Sequence, residues 1–598
     1  MALRSHVAFF RWALPAVVLA SEPNPPRWPD SVAVFGPETP AEEIVTATSN
    51  AFATNGGDME NGQFSSQRYA FLFMPGTYDV DVPVGYYTQV VGLGYRPTDV
   101  VFNSSKGVYC EEANFQMEIG ALDTFWRSAE NFQTNADYGW NGNTSGMLWA
   151  ASQASPLRSV VVTRNLSLAE YVRNRGEGYS SGGFVANMVV GDTLHFGSQQ
   201  QFITRSSTFN KVQDGSWNVV FVGTQGVPYS NCGAGSGERP YTVVDKTPVV
   251  AEKPYITVQN GSWGITVPKL KFNSSGAVLT PDADTVPFED VYVARADVDT
   301  SSSINAKLDE NLHVVFAPGI FYLDEPIHVR NPGTVLLGLG LATLVSSNGS
   351  VVIRVHDVPG VRVAGILLQA GPASTTLLEW GETRWEGDAS NPGMLHDVFA
   401  RVGGPKFPFE QQVQIMLRIN NGNVIGDNIW LWRADHYDGG ETVDEEWPCD
   451  NALVVDGDDV TLYGLAAEHT LQDIVQWNGE RGSTYFFQAE FPYDVTQAYG
   501  DNGYVGYRVG SHVLEHEAFG VGVYHFFRDH PVAVQSGISV PPHLESSVVS
   551  PLSVYLNGQG TVEHVINDKG NGTQAGASWG AVISWYCPTQ GVGSDVVV

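Results

Sequence analysis

The chain of 598 residues carries 32 Lys and Arg against 64 Asp and Glu, a formal net charge of −32, with 43% hydrophobic and 16% charged residues. This is the composition of a folded protein; it excludes a solvated tail or a coiled coil, and the length suits two domains or one long repetitive one. A nucleic-acid binder needs clustered cations to displace counterions, and here Lys and Arg are scattered singly, so neutral or cationic partners, an uncharged polysaccharide among them, are the natural ones.

At the N-terminus Arg4, His6 and Arg11 lead into an apolar run at 12–19, and Val18 and Ala20 supply small residues before a cut after Ala20. The run is too short to span a bilayer, so residues 1–20 read as a signal peptide in preference to a short buried helix. No later segment is apolar enough to act as an anchor, so the expectation is secretion without membrane association. Seven Asn-x-Ser/Thr sequons agree with a secreted glycoprotein: Asn103, Asn143, Asn165, Asn260, Asn273, Asn348 and Asn571. Cys110, Cys232, Cys449 and Cys587 allow two disulfides in three connectivities, and no zinc-type Cys/His spacing occurs.

An internal repeat follows. Phe73-Met74-Pro75-Gly76-Thr77-Tyr78, then Val90-Val91-Gly92-Leu93-Gly94, returns as Phe316-Ala317-Pro318-Gly319-Ile320-Phe321-Tyr322, then Leu336-Leu337-Gly338-Leu339-Gly340. Two halves of similar plan are expected, 21–290 and 291–598, with the joint near 275–300 where Gly276, Pro281 and several Asp residues dilute the apolar pattern. Between these marks lie short apolar runs such as 351–355, 361–368 and 460–465, punctuated by Gly, Asn and Asp, with almost no helical periodicity. Strands recurring every twenty to thirty-odd residues without hairpin signals suit stacked coils of a parallel β-helix.

In the second half three segments end alike: Trp430-Leu431-Trp432-Arg433-Ala434-Asp435-His436, Gly464-Leu465-Ala466-Ala467-Glu468-His469, and Phe487-Gln488-Ala489-Glu490-Phe491. Stacked coils about 4.8 Å apart would set Asp435, Glu468 and Glu490 in a row, and like charges that close cannot all ionise cheaply. One of them should keep its proton near neutrality, which is how a general acid is made. Trp430, Trp432, Trp447, Trp477, Tyr485 and Tyr493 surround the row and offer faces for sugar rings; a polar ladder with aromatic filler is the plainer alternative. His436, His469, His512 and His516 with these acids are a less economical metal set than hydrogen-bonding histidines. Asp456-Gly457-Asp458-Asp459, similar to the paired aspartates of polygalacturonases, reads as a turn.

The first half carries Trp149-Ala150-Ala151-Ser152-Gln153-Ala154, Ser181-Gly182-Gly183-Phe184 and Gln199-Gln200-Gln201-Phe202. In this order, with the Phe-x-Pro-Gly repeats and two glutamates twenty-two residues apart, the chain resembles glycoside hydrolase family 55, the secreted β-1,3-glucanases. The likeness spans most of 65–530; the stretch 45–70 departs from it in lacking the family's Asp-Asp-Thr opening. The resemblance implies an all-β fold of two tandem right-handed parallel β-helices, pectate-lyase-like, in a rib-cage arrangement with the cleft between them. It also implies an exo-acting, inverting hydrolase with Glu490 as general acid, Glu468 as neighbouring acid, and Gln153 and Ser181 positioning the water. Asp435, His436, Trp432, Trp477, Tyr485 and Gln200 are the expected sugar contacts. A polysaccharide partner, no nucleic acid or membrane, no cofactor or metal, and a monomer complete the expectation. The competing readings are a polysaccharide lyase, which the acidic row disfavours, and a secreted glycan-binding protein that has lost catalysis.

Overall fold

The computed structural model describes residues 21–56, 62–111, 121–141, 144–172, 176–213, 215, 217–232, 240–574, 582–588 and 592–597. The signal-peptide segment and Asn143 lie outside them.

Two parallel sheets dominate. The first runs Val32–Phe35, Tyr69–Phe73, Thr88–Gly92, Ser128–Thr134, Leu157–Val162, Gly183–Ala186, Gln201–Arg205, Asn218–Val222 and Tyr241–Val244, each strand hydrogen-bonded to the next one in the list. The second begins at Val291–Ala294 and passes through His313–Phe316, Val335–Ser346, Arg362–Gln369, Gly393–Val402, Val424–Arg433, Thr461–Glu468, Gly482–Glu490 and His516–His525 to Leu552–Tyr555. An eight-stranded parallel sheet from Ile327–Val329 to Ile538–Ser539 forms another face of the second coil. Small antiparallel sheets between Thr247 and Pro287 join the halves. These are two β-helices in tandem.

The internal repeat has a geometric meaning. Phe73 pairs with Gly92 on the next strand, and Phe316 pairs with Gly338, so the duplicated motif marks equivalent early coils of each half. Helices, absent from the sequence expectation, sit at the same two places. Ala41–Asn55 turns Ile44, Thr48, Ala51 and Asn55 inward. Ser301–Asp309 turns in Ser301, Ile304, Asn305 and Leu308 and is capped by Thr300, whose side chain accepts from the Ser303 N–H. Each closes the open end of an apolar coil, where a strand would leave an unpaired edge.

The large sheets also face one another. Val335–Ser346 is buried at all twelve positions, because one face meets its own core and the other meets the first helix. Ala70, Leu72 and Val91 pack on Val315, Val335 and Leu337, and Phe184, Ile203 and Val220 pack on Met394, Ile425 and Tyr463. Within this contact Arg158 donates to Asp397 at 2.8 Å and to Asp427 at 2.7 Å, while Arg205 donates to Asp427 at 2.8 Å and Glu252 at 2.7 Å. Burial opposes the charges of Arg158, Arg205, Asp427 and Glu252, but the arginines hold the Asp427 and Glu252 carboxyls below their usual range.

Of the four cysteines, Cys232 and Cys587 form a disulfide that ties the first helix to a strand 355 residues away. Cys110 and Cys449 are buried free thiols. Asp456 and Asp459 sit at a turn, pairing with Arg418 and Arg481.

Candidate active site

Thr461–Glu468 and Gly482–Glu490 are adjacent parallel strands that place Glu468 directly opposite Glu490. The in-register row is Trp432, Glu468, Glu490 and Tyr524. Asp435 is therefore not a rung of it; it lies three residues past Trp432, beyond the end of the strand at Arg433, and joins the site through its side chain. Its carboxylate accepts from Trp432 Nε1 at 3.2 Å and meets His436 Nδ1 at 3.1 Å, with His469 Nε2 at 3.9 Å. His469 leaves the strand with φ +66°, in the left-handed region.

Electrostatics separates the three acids. Burial of Glu468, only 3% exposed, and the adjacent charge of Glu490 push its carboxyl well above the usual range, against the pull of the Gln488 and Trp430 side chains. Glu490 is partly exposed. Burial, with the Asp435 charge, raises it to about 7, although the Tyr493 hydroxyl donates to it. At neutral pH one of this pair keeps a proton. Burial also works against ionisation of Asp435, but His436 and His469 beside it hold its carboxyl well below the usual range, and Asp435 in turn raises His436. His469, buried with its ring against the Phe491 carbonyl, falls to about 4 and stays neutral.

The first helix reaches the row. Gln153 donates from Nε2 to Glu468 Oε1 at 3.3 Å. Ser181 is held beside it: its N–H donates to the Ala121 carbonyl, which also accepts from the Ser152 hydroxyl, and its own hydroxyl donates to the Leu122 carbonyl at 2.8 Å. A cavity of about 640 Å³ opens next to the row, walled by Gln63, Phe64, Asp435, His436, Tyr493 and Phe526 with the 437–441 hairpin and Arg528. Gln63 bonds His436 Nε2 from across the helix boundary.

Three expected sugar contacts are corrected. Trp477 is 0% exposed in the core of the second helix, its ring edge against His516. Tyr485 is buried between Tyr463 and Phe519, both stacked on it, with its hydroxyl donating to Glu517. Trp432 has its ring between Trp430 and Phe64 and presents no free face. Gln200 sits at the bend before the strand Gln201–Arg205, and it is Gln201 that lines the contact with Gln153 and Gln488. His512 sits at an exposed turn and His516 in the core, remote from the acids in sequence register. Sequence reasoning passed over Gln488, although it lies two residues before Glu490 and so shares its face. It also passed over Gln63, Phe64, Phe526 and Arg528, which arrive from loops that carry no periodic signal.

The residues 291–490 match the family model of the LAM55 pectate lyase-like domain, and 64–237 match that of a rhamnogalacturonase A/epimerase, pectate lyase-like domain. An exo-beta-1,3-glucanase of Streptomyces sp. SirexAA-E is 38% identical over 556 residues, 91% of this chain and 87% of that protein. The solved structure of sacteLam55A from the same organism superposes with a TM-score of 0.84 at 36% identity, covering 96% of this chain and 98% of that one. A glutamate-to-alanine variant of sacteLam55A in complex with glucose superposes with a TM-score of 0.83 at the same identity and coverage. With two tandem β-helices, paired glutamates in register and this similarity along nearly the whole length, the chain belongs to glycoside hydrolase family 55 and is a glycoside hydrolase.

Proposed function

We propose that this chain is a secreted hydrolase that removes glucose from an end of β-1,3-glucan with inversion, in the cleft between its helices. The observation that carries the reading is the direct register of Glu468 and Glu490, with Gln153 of the other helix bonded to Glu468. Glu490, partly exposed, bonded to the cavity-lining Tyr493 and raised to about 7, donates a proton to the glycosidic oxygen. Gln153 and Ser181 position the attacking water on the far side of the sugar, as inversion requires an acid and a water on opposite faces with carboxyl groups typically ~6.5–9.5 Å apart. Glu468, next to Gln153, keeps the charge balance of the pair and takes up, through Gln153 and the water it holds, the proton lost as the water bonds to the anomeric carbon, while ionised Asp435 binds hydroxyls of the terminal sugar. The hairpin pairing His436 with Glu441 and Tyr437 with Gly440 closes one end of the cleft; Arg528 pins it by donating to the Thr442 carbonyl. A closed end favours exo action. The substrate of the Streptomyces relative and the glucose bound to its structural counterpart support the choice of glucan.

Secretion rests on residues 1–20, on exposed sequons at Asn103, Asn260, Asn273, Asn348 and Asn571, and on the disulfide. Incubation with soluble β-1,3-glucan, following products by chromatography and their anomeric form by NMR, tests the activity. Early release of α-glucose is expected; β-glucose or mixed oligosaccharides would overturn inversion or exo action respectively.

A further inference from the structure

Behind the two carboxylates, where the helices meet, a second cavity of about 20 Å³ is walled by Gln153, Gly182, Gln201, Asn428, Gly464 and Gln488 among others. Three of these are buried glutamines, Gln153 at 8% and Gln201 and Gln488 at 1% exposed. Four of their polar atoms have no hydrogen-bond partner among the described residues: Oε1 of Gln153, Oε1 of Gln488, and both Nε2 and Oε1 of Gln201. Each such atom left unpaired costs about 1–3 kcal/mol, so the cluster demands a polar occupant. A space of this size holds one water, which needs roughly 10–15 Å³ and two to four polar partners.

The other ends of these amides are already engaged. Gln153 gives its Nε2 to Glu468, and Gln488 gives its Nε2 to Glu490, each at 3.3 Å. Turning either amide over would set a carbonyl oxygen against a carboxylate. An occupant that donates to both oxygens prevents this, and among small molecules water has the two O–H groups while still accepting from Gln201 Nε2.

We propose that the cavity binds one structural water, held by Gln201, which donates to Gln153 Oε1 and Gln488 Oε1 and keeps both amides turned toward the catalytic carboxylates. Gln201 is then a positioning residue, acting through its neighbours. The glycine pair of the Ser181-Gly182-Gly183-Phe184 motif has a matching purpose. A Cβ on Gly182 would lie 2.6 Å from Gln201 Cγ, and φ there is +124°. One on Gly183 would lie 2.9 Å from the Phe202 ring. Only glycine lets Gln201 cross the strand end into the cavity.

The catalytic consequence rests on the acid pair proposed above; the water does not, and its test is separate. A high-resolution crystal structure of the intact enzyme should show one density peak within about 2.7–3.2 Å of all three glutamines. An empty cavity, or glutamines bonded directly to one another, would overturn the site. Gln201→Leu preserves volume without a partner. It should lower kcat about tenfold with KM little changed. Because the amide donors favour ionised carboxylates, it should also move the alkaline limb of the kcat profile upward by about half a unit to one unit. Gln201→Asn, which leaves a donor, an acceptor and room for more water, should return the limb toward that of the unaltered enzyme. A fall in melting temperature with an unmoved limb would reduce Gln201 to a structural role and refute the positioning. Full activity of Glu490→Gln would instead sink the acid reading while leaving the density peak to stand.

Discussion

Asp435→Asn isolates the electrostatic tuning of the proposed acid. In the folded site the Asp435 carboxylate is held ionised, and its charge is one of the influences that raise Glu490 to about 7. Asp435 lies next to Trp432, two rungs from Glu490, and at about 4.8 Å per rung the charges are roughly 10 Å apart. Two unit charges at that distance interact by about 1.7 kcal/mol at an effective dielectric of ~20, equivalent to about 1.2 pH units. Protonated His436, which Asp435 favours, offsets part of that field, so the expected shift is about half a unit to one unit. The sign follows from the chemistry. Removing the negative charge lets Glu490 ionise at lower pH, and the general acid works only while protonated, so the alkaline limb of kcat moves down. The assay is initial glucose release from a short β-1,3-glucan at saturating concentration across pH 4–9 in buffers of constant ionic strength. An alkaline limb that stays put or moves up would refute the electrostatic argument, whatever happens to KM.

Glu490→Gln should fold normally and retain glycan affinity while losing about 10²–10⁴-fold in rate, measured by glucose release and by calorimetric titration with substrate. Asp427→Ala strips partners from two buried arginines at once, Arg158 and Arg205; a loss of about 3–5 kcal/mol is expected, read by denaturant unfolding, and a change below 1 kcal/mol would contradict a structural role for the ion cluster. Cys587→Ser releases the link to Cys232 across 355 residues and should cost about 2–5 kcal/mol, visible as a lower melting temperature that reducing agent no longer changes.

The architecture was legible because coils of a β-helix repeat, and repetition survives in one sequence as the doubled Phe-x-Pro-Gly and Gly-x-Gly marks. The end helices were hidden because each buries only a narrow stripe with few apolar residues: in Ala41–Asn55 only Ile44, Thr48, Ala51 and Asn55. Within the site, Glu468 and Glu490 could be matched because both end strands that pair directly. Asp435 misled because its Ala-Asp ending mimics theirs, while the strand before it stops at Arg433. Trp477 and Tyr485 show the limit of residue type as a guide. A parallel coil buries aromatics on both faces of its strands, so an aromatic beside an acid in sequence is as easily core as cleft.

The charge cluster between the helices also sets an order of events during synthesis. Arg158 and Arg205 lie in the first helix, whereas Asp427, which both contact, is 269 and 222 residues further along. At about 5–20 residues per second, the first helix waits roughly ten to fifty seconds for Asp427, with a broad apolar face uncovered and with Arg158 unpaired, while Arg205 has only Glu252, 47 residues on. Neither half is thus a finished object on its own. The second helix serves the first as its missing layer, and the bond from Gln153 to Glu468 forms only when the later half of the chain closes over the earlier one.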